Sequence, residues 1–129
     1  MNMGLFSKFM NKSKPTLVKL KEVLMLSNKN GSIENPTKDD LKKYLNCLFN
    51  EKGDQYITLS LENTKNSVRF MNASFIGTKL VVQVGLEDNN KIKLVEKEFN
   101  TIKECTIALY QFYDYGIVDD VELYETVMI

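Results

Sequence analysis

Between Tyr56 and Phe99 apolar residues recur at every second position in four runs: Ile57, Leu59 and Leu61; Val68 and Phe70; Leu80, Val82, Val84 and Leu86; Ile92 and Leu94. A period of two turns one face of each run to a core and the other to water or a second layer. Short turn-forming stretches separate the runs: Glu62-Asn63-Thr64-Lys65-Asn66, Ile76-Gly77-Thr78 and Glu87-Asp88-Asn89-Asn90. Loops this short join antiparallel neighbours, so the pattern predicts a meander.

On either side of the meander the period changes to that of a helix. Leu41, Tyr44, Leu45 and Leu48 fall at i, i+3, i+4 and i+7. Asn35-Pro36-Thr37 precedes them, with Thr37 as the cap and Asp39 and Asp40 in the electropositive first turn. A helix over about 38–50 follows, ended by Gly53. Later, Thr101-Ile102-Lys103-Glu104 has the form of a capping box. Ile102, Cys105, Leu109 and Phe112 then make a stripe to about Tyr115, and Gly116 is a natural stop.

The ends are less sharply patterned. Residues 17–26 suit a strand or a helix, and the run Val23-Leu24-Met25-Leu26 before the turn at Asn30-Gly31 favours a strand, with Ser32-Ile33-Glu34 as the short return. Leu5, Phe6, Phe9 and Met10, with Lys8, Lys12 and Lys14 around them, make residues 1–14 an amphipathic N-terminal extension. Val121, Leu123 and Val127 predict a final packed element. The expected fold is α+β: an antiparallel meander sheet of about four to six strands with two main helices packed on one face, in a single domain over residues 15–129.

Composition narrows the chemistry. The 129 residues are 43% hydrophobic and 26% charged, ordinary values for a globular domain, and contain no His. Without imidazole, Ser-His and Cys-His nucleophiles and His-metal sites lack their central group. Cys47 and Cys105 alone complete neither a structural zinc site nor a disulfide framework, which predicts a reduced, cytoplasmic protein. No apolar run approaches the ~20 residues of a membrane span, and the start lacks the apolar stretch of a signal peptide. The six glycines form no phosphate-binding loop. Asp39-Asp40 belongs to a helix start and Glu87-Asp88 to a turn, while Asp119-Asp120 has no comparable local role. Both cysteines read as apolar filler on helices. No catalytic residue, metal or cofactor is expected.

Charge, neutral in sum, is unevenly spread. Residues 1–43 carry nine Lys against four acids, whereas residues 111–129 carry no base and five acids: Asp114, Asp119, Asp120, Glu122 and Glu125. Arg69 is the single Arg among 17 basic residues, a poor endowment for bidentate contacts to phosphate and guanine, so no nucleic-acid partner is expected. Tyr110-Gln111-Phe112-Tyr113-Asp114-Tyr115 places four aromatics in front of the acidic tail. Outward tyrosines beside carboxylates suit contact with a basic protein.

Ile33-Glu34-Asn35-Pro36-Thr37, followed by Asp40-Leu41 and Leu45, resembles a broad group of small bacterial α+β immunity-type proteins encoded beside polymorphic toxins, and relatives of unknown function. Gly53-Asp54-Gln55-Tyr56-Ile57 and the late helix with Phe112-Tyr113 before Gly116 continue the likeness over residues 20–116. Trp, common toward the C-terminal half in that group, is lacking here. The resemblance implies a non-enzymatic inhibitor that occupies a cognate toxin. The expected partner-binding residues are Tyr113, Asp114, Tyr115, Asp119, Asp120 and Glu122, and the expected partner is another protein such as a basic toxin domain. Two alternatives stand beside this reading: a small-ligand-binding domain with a pocket between sheet and helices, and peripheral membrane attachment through residues 1–14.

Overall fold

A computed structural model of the chain describes residues 23–51, 55–62 and 67–128. The extension over residues 1–14, the first part of the 17–26 strand and the helix stop at Gly53 lie outside them. Seven strands form one sheet: β1 (Val23–Asn28), β2 (Gly31–Glu34), β3 (Tyr56–Glu62), β4 (Val68–Ile76), β5 (Lys79–Asp88), β6 (Lys91–Phe99) and β7 (Glu125–Met128). Their order is β2-β1-β3-β4-β5-β6-β7, with every pair antiparallel. Two helices, α1 (Lys38–Glu51) and α2 (Ile102–Tyr115), are packed against it. This is the α+β meander the periodicity predicts. The strand count exceeds the expected range because two four-residue strands, β2 and β7, form its edges.

Local chemistry accounts for the elements. Asn89 and Asn90 both take positive φ (52° and 66°) between the paired residues Asp88 and Lys91, the backbone of a two-residue hairpin turn whose twist matches its strands. Gly77 supplies positive φ between β4 and β5. At the start of α1 the Asp40 amide donates to Thr37 Oγ1 (3.1 Å) and the Thr37 amide returns to Asp40 Oδ2 (2.9 Å). At α2 the reciprocal box of Thr101 and Glu104 is complete, and Gly116, at φ 70°, sends its N–H back to the Phe112 carbonyl.

The core occupies one face of the sheet. Leu24 and Leu26, Ile57 and Leu59, Met71 and Ala73, Val82 and Val84, and Val95 meet Leu41, Leu45 and Leu48 of α1 and Cys105, Leu109 and Phe112 of α2. Ile102 is the exception in the α2 stripe: at the first turn it is 47% exposed. In the tail the inward residues are Tyr124 and, in part, Val121, rather than Leu123 and Val127, which are exposed. β7 therefore packs by pairing with β6 and through Tyr124. On the opposite face of the sheet no described element lies.

Candidate functional site

Because Cys105, Leu109 and Phe112 hold one side of α2 in the core, its aromatic and acidic residues fall along its flanks. The structure divides the six expected contact residues into two groups. Tyr113 and Asp114 turn toward α1. The Tyr113 hydroxyl donates to the Pro36 carbonyl (2.8 Å), and Lys38 Nζ sits 2.7 Å from Asp114 Oδ2. The same ammonium lies 5.2 Å from the Tyr110 ring centre and 5.6 Å from that of Tyr113, within cation–π range. The hydrogen bond to Asp114 raises the Lys38 pKa, opposed by some burial. Burial first, then the Asp114 charge, raises that of Tyr113. This cluster locks the end of α2 to the start of α1. Tyr115, the next residue, is half-buried.

Asp119, Asp120 and Glu122 lie beyond Gly116 and are exposed. Gln111 grips Asp119 twice: its Nε2 donates to Asp119 Oδ2 (2.9 Å) and its Oε1 accepts from the Asp119 amide (3.3 Å). Asp120 then takes the left-handed conformation (φ 54°, ψ 36°), which Asp tolerates better than most residues, and opens a short 3-10 turn, Val121–Leu123. That reversal drops Tyr124 into the core edge. Its ring meets Phe99 edge-on at 6.3 Å, while Lys97 Nζ lies over both rings. Burial, with smaller contributions from Cys105 and Asp120, pushes the Tyr124 hydroxyl up to about 12.

Between α2 and this reversal runs an open cleft of about 190 Å³. Phe99, Ala108, Val118 and Tyr124 supply its apolar lining; Glu104, Asp119 and Asp120 supply acids, and Lys97 is the base among them. Ile107, also on the cleft, is 57% exposed, and Leu123 on the following turn 64%. Lys97, Gln111 and Ile107 were not among the sequence-based candidates. Ile107 had a signal: it is apolar yet off the Cys105–Leu109–Phe112 stripe. Gln111 and Lys97 had none, since each acts only through a fold contact.

Burial pushes the Cys105 thiol up to about 12, far from a nucleophilic thiolate at neutral pH, and Cys47 is half-buried on α1. No group of three or more Cys, Asp or Glu capable of holding a metal ion occurs among the described residues. None of their helices is long and apolar enough to cross a membrane. No family model matches the chain, and searches of curated proteins and of solved structures find no match.

Proposed function

We propose that the chain is a non-catalytic protein-binding domain of immunity-like character, which occupies a basic partner protein, such as a toxin domain, in the bacterial cytoplasm. The observation that carries this reading is the cleft between α2 and the turn after it, where exposed Ile107 lies with Glu104, Asp119 and Asp120, followed along the chain by exposed Glu122 and Leu123. Exposed apolar side chains beside an excess of acids favour a partner whose basic groups are steered in and whose apolar groups are then desolvated. Tyr113 and Asp114 act in this reading as the brace that fixes α2, and contact passes to Asp119, Asp120 and Glu122.

The cleft also bears on the ligand-binding alternative. Its space of about 190 Å³ falls below the ~300–1,000 Å³ of small-molecule pockets, and it is open rather than enclosed. The protein reading is therefore preferred. Its test uses the full chain as bait in an extract of the source bacterium, beside the triple variant Asp119→Asn/Asp120→Asn/Glu122→Gln. Capture of one basic protein by the wild type, with faster release from the variant, supports the reading. Equal retention by both refutes the site.

A further inference from the structure

The face of the sheet turned away from the helices has a pattern of its own. Across it the register aligns Met25, Ser60, Phe70, Gly85 and Leu94 in one row running from β1 to β6. Gly85 is what makes this row flat. A Cβ there would stand 2.1 Å from the Phe70 ring, so the ring lies down over β5 toward Leu94. Val81, on the same face, is buried although it stands outside the core cluster. The next row is polar and self-satisfied: Asn72 donates to Thr58 and Gln83 to Glu96.

The surround of this apolar row is acidic. Alternation puts Glu34, Glu62, Glu87, Glu96, Glu98 and Glu125 on this face against Arg69 and Lys79. The described ion pairs engage Glu87 with Arg69 (2.7 Å) and Glu98 with Lys79 (3.9 Å). Arg69 Nε is buried with no acceptor. A second copy of the same face would meet it with like charge, which opposes pairing.

The chain holds a segment of the opposite character. Before Val23 stand 22 residues with Lys8, Lys12, Lys14, Lys19 and Lys21 against one acid, Glu22, and with Leu5, Phe6, Phe9 and Met10 at helical spacing. Val23 and Met25 alternate onto the open face, and Glu62, opposite Val23, is acidic. The thirteen residues from Met10 to Val23 reach ~40 Å when extended. Crossing from β1 to β6 takes four strand spacings, about 19 Å. We propose that Leu5–Met10 docks on the open face of its own sheet, with its apolar side chains on the Met25–Phe70–Leu94 row and its lysines toward the surrounding glutamates. The open face is then covered in cis, apart from the α2 cleft and independent of what that cleft binds.

The test attaches a nitroxide to the full chain at Ser7→Cys in a Cys47→Ser background, where buried Cys105 is protected from labelling. Docking predicts that amide signals of Phe70, Gly85 and Leu94 broaden beyond detection while those of α1 and α2 stay sharp. Adding Phe6→Glu/Phe9→Glu, or Leu94→Glu on the sheet side, should restore the lost signals with an unchanged circular dichroism spectrum. Broadening spread over both faces, or none, overturns the proposal. So does broadening carried to an unlabelled second copy in a mixed sample, which would make the occupant another molecule.

Discussion

The two halves of the aromatic–acidic stretch differ in placement as well as in composition: Tyr110–Asp114 holds three aromatics and one acid, Asp119–Leu123 three acids and no aromatic. Tyr110, Tyr113 and Asp114 are drawn toward the start of α1, through the Pro36 carbonyl and Lys38. From Asp119 to Leu123 the chain reverses at a left-handed aspartate and leaves carboxylates and the Leu123 side chain in solvent. What separates them is Gly116. Residues before it ride on a helix whose core stripe dictates where each side chain points, and residues after it are held by a few side-chain contacts such as the two hydrogen bonds between Gln111 and Asp119. A stretch rich in tyrosine and acid thus contains a brace and then an exposed acidic surface, the proposed contact.

That division is open to attack by substitution. Phe112→Ala, on the buried stripe, is expected to cost ~3–5 kcal/mol of stability, read by denaturant unfolding, and to disable both halves together. Alkaline titration comes next. The Tyr124 hydroxyl ordinarily titrates near 10 and is raised to about 12 in the fold. Its contribution is therefore intact below pH 10 and is lost as pH climbs from 10 toward 12, by on the order of 2–3 kcal/mol. Tyr124→Phe should flatten that part of the stability curve. Gly116→Ala, forced into positive φ, should cost ~1–2 kcal/mol, visible as a lower melting temperature. Tyr113→Phe should lose about 1 kcal/mol through the unpaired Pro36 carbonyl, with no change in how the exposed acids bind. Smallest of all, Asp119→Asn with Asp120→Asn and Glu122→Gln should stay within ~0.5 kcal/mol of wild-type stability, as surface substitutions do.

Much of the fold was written in short-range pattern. Thr37 and Thr101 announce helix starts by chemistry confined to three residues, and Asn89-Asn90 announces a hairpin in two. The edges were harder. β2 is four residues with its side chains mostly exposed, so its turn and not its alternation announced it, and the apolar residues of the tail, Leu123 and Val127, point the wrong way for a pattern-based reading. The bulge at Arg69, between Val68 paired with Leu86 and Phe70 paired with Gly85, puts Val68 and Phe70 on opposite faces despite their spacing of two. In the candidate site, the acids of the tail were visible as a charge bias. The hydrogen bond from Tyr113 to a carbonyl 77 residues away was not, because it exists only once α1 and α2 are packed. Composition marks the stretch and its change from aromatic to acidic, and packing decides which part turns inward.

The most direct measurement is the dissociation rate of a captured basic partner from full chains carrying either Tyr113→Phe/Asp114→Asn or Asp119→Asn/Asp120→Asn/Glu122→Gln, followed across ionic strength. The account predicts a near-wild-type rate for the first variant, and for the second a faster rate with a weaker dependence of binding on salt. The reverse ranking, or a wild-type rate in both, would contradict it.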